Sequence, residues 1–489
     1  MKLKQVINGL SVLELRGDPE TEISSVVSNS QQVRPGSLFI ALKGSVLDGH
    51  MYVSDAIARG ATTVMIEKPI EVDEGINTIL VESTQKAQAI VGRNFYDNPA
   101  SKLEIIGITG TKGKTTTAFL IRSILEQAGY KTGLIGTIFN IIDDKRLPSR
   151  NTTPASLELQ HLLSKMVKAE TEYVVMEVSS HAIALDRIEG LSFFRGVFTN
   201  ITRDHLDFHQ TFEEYFKVKA RFFTALSKEA RAIINIDDPR AKEIIKLTGT
   251  KVLSYGLNPE AQIRAEDVES TMKNTEFNLV TPWGDTHLRL NLIGKFNVYN
   301  ALAAIGTGFS LGLDPSKIYK GLEHLTGVPG RFELVPGSNE YTVVVDYAHT
   351  PDSLKNILST ARALVKNRVI TVFGCGGNRD RGKRPIMGRI VAELSDYAII
   401  TNDNPRREDP SIIVEQIKAG FTQQDNPENY EIILDRETAI RKAISIAKKG
   451  DMVIIAGKGH ETYQDFGDYV IHFDDKQIAE LAIKEKENA

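Results

Sequence analysis

A glycine-rich turn that carries Lys114 and Thr115 follows an apolar stretch of the chain. The stretch 103–109 leads directly into Gly110-Thr-Lys-Gly-Lys-Thr-Thr116. The glycines of such a turn let backbone N–H groups approach an anion, and a helix beginning near Thr115 directs its positive end there. Lys114 is placed to reach the outer phosphates of a nucleotide, and the Thr115 hydroxyl to bind Mg²⁺. The sequence therefore predicts a phosphate site at this turn.

The spacing of this turn is a variant of the general P-loop. Ile108 occupies the position of the first glycine, with Gly107 and Gly110 on either side. An ordinary strand-to-helix turn with a surface lysine is the alternative interpretation. It is disfavoured because the strand, the glycines, the Lys-Thr pair and the helix follow one another in the order that phosphate binding requires.

A carboxylate lies near the end of a second apolar strand. The strand predicted at 173–178 carries Glu177, and two serines and a histidine follow it. This position at the carboxyl edge of the sheet suits a Mg²⁺ ligand opposite Thr115. A solvated glutamate at a strand end is the alternative interpretation.

Two aspartates and two histidines crowd into the segment 200–209. This density favours metal or phosphate chemistry, with His205 as the candidate ligand, although the spacing does not suit a zinc site. The segment 213–223 has a helical pattern and includes Lys217 and Lys219. From the pattern alone, both lysines are expected on the solvent-exposed surface.

The order of the predicted elements indicates an α/β protein of three domains. A chain of 489 residues is too long for one core and suggests roughly three units of about 150 residues each. A small α/β domain is expected at 1–98, bounded by an Asn-Pro turn. A central P-loop-type domain with a mostly parallel sheet is expected at 99–329, and a third domain at 330–489.

In the third domain, four predicted strands each lead into a loop rich in polar residues. Ligands of open α/β sheets bind outside the carboxyl ends of the strands, so the four loops are expected to share one cleft. The strands are expected at 343–345, 369–373, 397–401 and 452–456.

The composition excludes several classes of protein. No apolar run reaches the roughly 18–20 residues of a membrane span, and the first residues lack the apolar core of a signal peptide. A cytoplasmic protein without membrane insertion is therefore expected. Cys375 is the only cysteine, which rules out an intrachain disulfide and a cysteine-rich zinc site. The net charge of −4 argues against a general nucleic-acid binder.

Nine short motifs are distributed along the whole chain. They are Gly110–Thr116, Asn151–Pro154, Glu177–His181, Asn200–His205, Gly294–Asn300, Gly330–Arg331, Asp346–His349, Asp403–Arg406 and Gly457–Glu461. Together they resemble the Mur ligases of peptidoglycan synthesis. Several are shared with folylpolyglutamate synthetases, so the motifs indicate the type of reaction more firmly than the substrate.

The resemblance implies a monomeric enzyme that uses ATP and Mg²⁺ to form an amide bond through an acyl phosphate. It implies an N-terminal domain for the UDP end of the substrate, a central ATPase, and a C-terminal Rossmann-like domain that brings the amino acid. Within the family, the chain resembles the members that add the third residue of the peptide. The implied acceptor is UDP-N-acetylmuramoyl-L-Ala-D-Glu.

The resemblance also assigns roles to individual residues. Lys219 matches a lysine that is carbamylated in the family, and the resulting anion helps to bind a second Mg²⁺. Catalytic or metal-binding roles are implied for Lys114, Thr115, Glu177, His205 and Lys219. Contacts to ATP are implied for Gly110, Thr111, Lys112, Gly113, Lys114, Thr115, Thr116, Asn297, Arg331 and Asp346. Contacts to the nucleotide sugar are implied for Ser30, Thr152, Thr153, Ser179 and Arg187, whereas Leu185 stands where some members have a glutamine.

The motif Asp403-Asn-Pro-Arg406 resembles the one associated with meso-diaminopimelate in the family. Diaminopimelate differs from lysine by one carboxylate, which a guanidinium binds in bidentate fashion, whereas lysine would leave that guanidinium unpaired. Arg379 is expected to supply another cation, and Asp403 with Glu461 to take the ammonium groups. The predicted site comprises Arg379, Asp403, Asn404, Pro405, Arg406, Gly457 and Glu461. The alternatives are addition of L-lysine, a folylpolyglutamate synthetase, and an ATP-dependent switch that forms no amide.

Overall fold

The structure is a computed structural model that describes residues 1–44, 47–421 and 429–488. These residues form three α/β units, built around sheets of five, eleven and six strands, and a small two-stranded hairpin. The predicted class, an α/β protein of three domains, is confirmed. Residues 45, 46, 422–428 and 489, which belong to the predicted first and third domains, lie outside the described residues.

The N-terminal unit has a five-stranded sheet in which both faces are covered. Its helices are α1 (Leu3–Val6), α2 (Val53–Ala58) and α3 (Thr84–Phe95), with 3-10 helices at Ser30–Gln32, Gly49–Tyr52 and Pro99–Lys102, and its strands are β1 (Val12–Arg16), β2 (Ser25–Val27), β3 (Ser37–Ile40), β4 (Ala61–Ile66) and β5 (Asn77–Val81). The strand order is β1-β5-β4-β3-β2, and only β1 runs antiparallel to its neighbour. Successive side chains of a strand point to opposite faces. Accordingly Leu38 and Ile40 pack in one core cluster and Phe39 in another.

The middle unit is the largest. Its helices are α4 (Lys114–Gln127), α5 (Ser156–Lys168), α6 (Ser180–Ala184), α7 (Leu206–His209), α8 (Phe212–Thr224), α9 (Ala241–Leu247), α10 (Lys295–Ser310) and α11 (Pro315–His324). Its strands are β6 (Glu104–Thr109), β7 (Thr132–Ile135), β8 (Phe139–Ile142), β9 (Lys145–Pro148), β10 (Tyr173–Glu177), β11 (Arg195–Phe198), β12 (Arg231–Asn235), β13 (Lys251–Gly256), β14 (Ile263–Ser270), β15 (Thr275–Val280) and β16 (Thr286–Leu290). The sheet order is β16-β15-β14-β13-β12-β11-β6-β10-β7-β8-β9. The seven strands from β14 to β7 in this order, with β6 near the centre, pair in parallel. At one edge β8 and β9, and at the other β15 and β16, each pair antiparallel with the preceding strand.

Strand β6 carries the glycine-rich turn at its carboxyl end and is buried along most of its length. Ile105, Ile106 and Ile108 are all fully buried, as expected of a central parallel strand covered on both faces. A Cβ on Gly107 would lie 2.6 Å from the ring of Phe222 and 2.7 Å from that of Phe193. Gly107 therefore makes room for two aromatic rings inside the strand, rather than contributing to the turn.

The C-terminal unit has a six-stranded sheet and the separate hairpin. Its helices are α12 (Pro351–Leu364), α13 (Lys383–Leu394), α14 (Pro410–Lys418), α15 (Arg436–Ile446) and α16 (Asp475–Glu487), and its strands are β17 (Glu333–Val335), β18 (Thr342–Asp346), β19 (Val369–Phe373), β20 (Tyr397–Ile400), β21 (Tyr430–Ile432), β22 (Met452–Ala456), β23 (Tyr463–Asp465) and β24 (Val470–His472). The sheet order is β17-β18-β22-β19-β20-β21, and only β17 is antiparallel. The four predicted strands are β18, β19, β20 and β22. Because these strands are parallel, their polar loops lie at one edge of the sheet, as predicted.

The helices of the described residues are shorter than a membrane span requires. In residues 1–44, 47–421 and 429–488, none combines the length and the apolar character that crossing a bilayer requires.

Candidate active site

The turn between β6 and α4 adopts the shape of an anion cradle. Gly113 directly precedes α4 with φ 85°, a left-handed conformation that glycine adopts at little cost. A Cβ at this position would lie 2.3 Å from Asn300 Oδ1, so no larger residue fits. The first N–H groups of α4 have no partner within the helix and point into the turn. The local geometry is therefore that of a phosphate site.

Lys114 folds back over this turn. Its Nζ donates hydrogen bonds to the carbonyl oxygens of Gly110 at 2.9 Å and Thr111 at 3.0 Å. Burial lowers the pKa of Lys114 to about 8, while the negative charge of Glu177 opposes the shift. The amine is thus held at the turn by neutral carbonyl groups, and a bound anion would favour its charged form.

Glu177 lies at the end of β10, next to β6, and its carboxylate is enclosed. Oε2 accepts hydrogen bonds from Thr115 Oγ1 at 2.9 Å and Thr137 Oγ1 at 3.0 Å, and Oε1 accepts one from the Thr137 N–H at 2.8 Å. The residue is only 1% exposed, so the interpretation as a solvated glutamate is wrong. A threonine hydroxyl and a carboxylate brought together in this way offer the oxygen ligands that Mg²⁺ prefers. Thr137 lies outside the nine motifs, and no pattern in the sequence pointed to it.

Lys219 lies on α8 and is buried beneath the turn. It is 1% exposed, its Nζ donates to Gly110 O at 2.9 Å, and the same atom lies 4.8 Å from the centre of the Tyr215 ring. The expectation of a solvent-exposed lysine is therefore wrong for Lys219, whereas Lys217 is exposed. Burial lowers the pKa of Lys219 well below its ordinary value, which favours the neutral and nucleophilic amine.

His205 packs among aromatic rings on the same side of the turn as Lys219. Its ring lies edge-on to that of His181, 4.9 Å away between centres, and 6.2 Å from the ring of Tyr215. Although 42% of the His205 side chain is exposed, partial desolvation of its ring lowers the pKa to about 4, so the imidazole is neutral near pH 7 and can offer a lone pair. The neighbouring Asp204 pairs with Lys112 Nζ at 3.0 Å.

The candidate metal ligands therefore lie around the turn in two groups. Thr115 and Glu177 are hydrogen-bonded to each other, and Lys219 and His205 both contact Tyr215. Among the three described ranges of the chain, no three His, Cys, Asp or Glu side chains are grouped to hold a metal ion. The candidate set is of a different kind, because it includes a threonine and a lysine.

The first residues of the C-terminal unit reach the turn directly. Arg331 Nη2 donates to Thr115 Oγ1 at 3.2 Å, and its guanidinium lies 4.8 Å from the centre of the Tyr347 ring. Asp346 accepts hydrogen bonds from the N–H groups of Phe332 at 2.6 Å and Ala348 at 2.8 Å. Burial raises the pKa of Asp346, although Arg331 acts against this. The middle and C-terminal units thus meet at the phosphate turn.

A cavity of about 290 Å³ lies beside this contact. Asn297 and Arg331 line it, together with residues 291–293 and part of the segment 326–334. Asn297 Nδ2 donates to Ile293 O at 2.9 Å, and its Oδ1 accepts from Asn300 Nδ2 at 3.0 Å, so its amide is fixed. The volume is close to the lower end for small-molecule pockets. Asn300, three residues after Asn297 on α10, was not predicted as a site residue.

Four of the residues expected to contact the nucleotide sugar form one network next to Glu177. Thr153 Oγ1 donates to Glu177 O at 2.8 Å and accepts from Ser179 N at 3.0 Å. Arg187 Nη1 donates to Thr153 O at 3.0 Å, and Thr152 Oγ1 lies 3.1 Å from Thr137 Oγ1, within hydrogen-bond distance.

The fifth of these residues, Ser30, belongs to the N-terminal unit. It is buried at the start of the 3-10 helix Ser30–Gln32. The middle unit contacts the N-terminal unit through Leu185, whose carbonyl oxygen accepts a hydrogen bond from Gln85 Nε2 at 2.8 Å. Leu185 therefore contributes a backbone contact between two units at the position where a glutamine side chain was expected.

Asp403 presents a buried carboxylate oxygen in the C-terminal unit. Oδ1 accepts from the Asn404 N–H at 2.7 Å, whereas Oδ2 has no hydrogen-bond partner among the described residues. Burial opposes ionisation, but Lys458 and Arg436 outweigh it and lower the pKa of Asp403. A Cβ on Gly457 would lie 2.6 Å from Oδ2, so the glycine leaves room beside this buried oxygen. The result is an ionised acceptor suited to an ammonium group.

Glu461 is positioned beside Asp403 by a network centred on Lys458. Asn404 Nδ2 donates to Glu461 Oε2 at 2.9 Å, and Lys458 Nζ donates to the same oxygen at 3.1 Å and to Asn404 Oδ1 at 3.0 Å. Tyr347 OH donates to Glu461 Oε1 at 3.3 Å. Lys458 is fully buried and was not predicted, although it lies inside the motif Gly457–Glu461.

Arg406 lies on the loop that follows β20, with its guanidinium held in place. Nη1 donates to Gly377 O at 2.8 Å, and Nε lies 3.6 Å from Asp465 Oδ2 on the hairpin strand β23. Its backbone has φ 53°, and its N–H donates to Asp465 O at 2.9 Å. Arg379 lies on the adjacent loop and is exposed. The structure thus places Arg379 and Arg406 on the adjacent loops that follow β19 and β20, and Asp403 lies three residues before Arg406 on the second of these loops.

Three domain families match the chain in succession. The Mur ligase family catalytic domain matches residues 22–103, the Mur ligase middle domain matches residues 108–308, and the glutamate ligase domain of Mur ligases matches residues 330–459.

Curated relatives match over nearly the full length. A UDP-N-acetylmuramoyl-L-alanyl-D-glutamate–2,6-diaminopimelate ligase of Clostridium acetobutylicum is 46% identical over 99% of this chain and 100% of its own length. The Clostridium perfringens protein of that name is 45% identical over 98% of each chain. A solved structure of a ligase with the same name superposes with a TM-score of 0.69 at 32% identity, covering 100% of both chains.

Proposed function

The chain belongs to the Mur ligase family, and from this premise we propose that it catalyses the ATP-dependent joining of meso-2,6-diaminopimelate to UDP-N-acetylmuramoyl-L-Ala-D-Glu. The amide forms at the D-Glu carboxylate, in the cytoplasmic synthesis of peptidoglycan precursors. Relatives that are 42–46% identical and bear the name of this activity support the substrate pair. The observation in the structure that carries the proposal is the fixed guanidinium of Arg406 on the same loop as the buried carboxylate of Asp403, whose neighbour Asn404 is hydrogen-bonded to Glu461.

The three units divide the work in this proposal. Residues 1–98 bind the UDP end of the acceptor, residues 99–329 bind ATP, and residues 330–489 bring the amino acid. The three separate sheets support this division. The hydrogen bonds from Gln85 to Leu185 and from Arg331 to Thr115 support a site assembled where neighbouring units meet.

The phosphate turn binds ATP. The N–H groups at the start of α4 take the phosphates, Lys114 takes the γ-phosphate, and Asn297, Arg331 and Asp346 contact ATP, with Asn297 and Arg331 lining the cavity. The hydrogen-bonded oxygens of Thr115 and Glu177 fit Mg²⁺. Bound there, Mg²⁺ would neutralise charge on the phosphates during transfer.

The reaction has two steps. An oxygen of the D-Glu carboxylate attacks the γ-phosphorus, the bond to the β-phosphate oxygen breaks, and ADP leaves behind an acyl phosphate. The free amine of diaminopimelate then attacks the acyl carbon. The tetrahedral adduct loses a proton from nitrogen and expels inorganic phosphate to leave the amide. Lys114 stabilises the charge that develops on the transferring phosphoryl group, and the contact of the two units keeps water from the acyl phosphate.

Lys219 acts in this scheme as a carbamate. Its neutral amine adds to the carbon of CO₂ and loses a proton, so a buried cation becomes an anion. The burial that lowers its pKa supports this reaction, since only the neutral amine is nucleophilic. The carbamate and His205 form the second metal position, on the Tyr215 side of the turn.

Selection of diaminopimelate follows from the charges around Arg406. Asp403 Oδ2 and Glu461 accept the ammonium group and Arg406 binds the distal carboxylate, with Arg379 as a further cation. L-Lysine lacks that carboxylate and would leave the guanidinium without its partner, which lowers its affinity by about 1–3 kcal/mol.

The test is phosphate release from ATP with UDP-N-acetylmuramoyl-L-Ala-D-Glu, comparing meso-diaminopimelate with L-lysine, and identification of the product by mass. We expect release and the tripeptide product with diaminopimelate. Product with lysine alone would retain the ligase reaction but overturn the assignment of Arg406. Slow ATP hydrolysis that neither amino acid stimulates would contradict the proposal.

A further inference from the structure

A buried ion pair lies behind the loop that carries Arg406. Arg384, on the first turn of α13, has a fully buried side chain, and the side chain of Glu408 is 6% exposed. The two groups pair in bidentate fashion, with Nη1 2.9 Å from Oε1 and Nη2 2.8 Å from Oε2. Neither residue belongs to the site proposed above.

The pair connects the two loops that carry the arginines of the site. Glu408 follows Arg406 on one loop, and its Oε2 also accepts from the Asn378 N–H of the other loop at 2.9 Å. Arg384 Nη2 lies 3.3 Å from Gly376 O on that second loop. The loops also touch through their backbones, since the Gly377 N–H donates to Asn404 O at 2.9 Å.

Arg406 depends on this connection in two ways. Its Nη1 is fixed by Gly377 O, an atom of the neighbouring loop rather than of its own. Its φ of 53° is a left-handed conformation that costs a non-glycine residue free energy, so surrounding contacts must maintain it. A shift of one loop against the other would therefore move the guanidinium.

We propose that Arg384 and Glu408 are a positioning pair, which fixes the Arg406 guanidinium for the distal carboxylate of the amino acid and so determines the preference for diaminopimelate over lysine. The proposal rests on the function proposed above. Buried ion pairs contribute little net stability compared with apolar residues of similar volume, because desolvation opposes the attraction. The geometry that this pair imposes on both loops gives it a role that an apolar pair would not fill.

The test is a double-mutant cycle with Glu408→Gln and Arg406→Ala. Glu408→Gln alone should raise the KM for diaminopimelate about tenfold, the loss expected when one charge-assisted hydrogen bond is misplaced. Its KM for ATP should stay within about twofold of wild type, since it contacts no phosphate. In the Arg406→Ala background, Glu408→Gln should change the diaminopimelate KM less than about twofold, because the group it positions is gone.

A matched control removes a similar pair at the other end of the same sheet. Arg368 Nη2 lies 2.6 Å from Asp451 Oδ2, and Asp451 directly precedes β22 at the edge opposite the site. Asp451→Asn should lower thermal stability but leave the preference for diaminopimelate over lysine unchanged. If Glu408→Gln unfolds at the assay temperature, Arg384→Lys takes its place, since it keeps the charge but loses the bidentate geometry.

The outcomes separate the positioning role from the proposed function. Suppose that the wild-type enzyme uses diaminopimelate, but Glu408→Gln still raises the diaminopimelate KM in the Arg406→Ala background. This result would overturn the positioning role and leave the proposed function standing. An equal loss of preference in Asp451→Asn would also overturn it, since general destabilisation would then explain the effect. A wild-type enzyme that uses lysine and not diaminopimelate would overturn both proposals.

Discussion

The phosphate turn and the proposed amino-acid site are built to hold charged groups by different means. The turn is one continuous segment between β6 and α4, and it offers an anion backbone N–H groups, glycines of positive φ and the ammonium group of Lys114. The amino-acid site is assembled from the loops after β18, β19, β20 and β22, and its charges are held by side-chain networks. A phosphate needs only a cradle of donors, whereas discrimination between two similar amino acids needs charges at fixed separations.

This difference predicts that substitutions at the two sites separate kinetically. Changes at the turn should affect ATP use with every amino acid. Changes in the C-terminal loops should affect the choice and affinity of the amino acid and leave ATP binding as it is. The predictions below are arranged from the largest expected effect to the smallest.

The largest effect is expected from Lys114→Ala. It removes an ammonium group that donates directly to two carbonyls of the turn, and the rate of phosphate release should fall about 10³-fold. Binding of diaminopimelate, measured by calorimetry, should be unchanged. Lys102→Ala removes an ammonium that pairs with Asp97 at the surface, and it should leave the rate unchanged. A comparable rate loss in both variants would contradict the role of Lys114.

Two glycine substitutions form a matched pair, one in the phosphate turn and one in the loops of the C-terminal unit. Gly113→Ala brings a Cβ within 2.3 Å of Asn300 Oδ1, and it should raise the KM for ATP about tenfold or more. Gly377→Ala brings a Cβ within 1.9 Å of Pro405 O, and it should raise the KM for diaminopimelate by a similar factor.

Steady-state kinetics with each substrate varied in turn check both variants. Each substitution should leave the other KM within about twofold of wild type. An increase of both KM values in either variant would show that the two sites are not independent.

The pH dependence of the free energy of unfolding should reveal the ionisation of Glu408, whose carboxylate lies behind the loop that carries Arg406. The hydrogen bond from Arg384 lowers the pKa of Glu408 from 4.5 to about 2, although burial opposes this. Because the pKa is lower in the folded state, the contribution to stability is complete above about pH 5 and is lost as the pH falls toward 2. Urea unfolding should show wild type more stable than Glu408→Gln by about 3 kcal/mol at pH 7, with a smaller difference at pH 3. A difference independent of pH would contradict this.

The smallest effect is expected from Arg407→Ala, at the residue directly after Arg406. Its side chain is 75% exposed and its Nε lies 3.9 Å from Asp468 Oδ1, a surface contact. Both KM values and the rate should remain within about twofold of wild type. A large rise in the diaminopimelate KM would show that charge in this loop matters more than its placement.

The features that the sequence predicted well are those set by local order. The strands β19 and β22 have the predicted bounds, and α4 begins one residue before the predicted start. Short apolar runs that end in glycine or polar residues mark such strands and helix starts, and no information on the segments packed against them is needed. The loops of the C-terminal unit could be placed at one edge because parallel strands share their direction.

The features that the sequence did not predict depend on packing between distant segments. Burial of Lys219 follows from the position of α8 beneath β6, and a pattern within one helix cannot reveal a neighbouring strand. Thr137 reaches Glu177 from an unremarkable loop, and Lys458 is buried between two loops. Only the family resemblance indicated that Lys219 has a special role.

The most direct test of the central claim is the kinetics of Arg406→Ala with ATP and diaminopimelate varied in turn. If the C-terminal loops recognise the amino acid independently of the phosphate turn, the KM for diaminopimelate should rise at least tenfold, about the loss of one charge-assisted hydrogen bond, with the KM for ATP unchanged. Equal increases in both KM values would contradict the account.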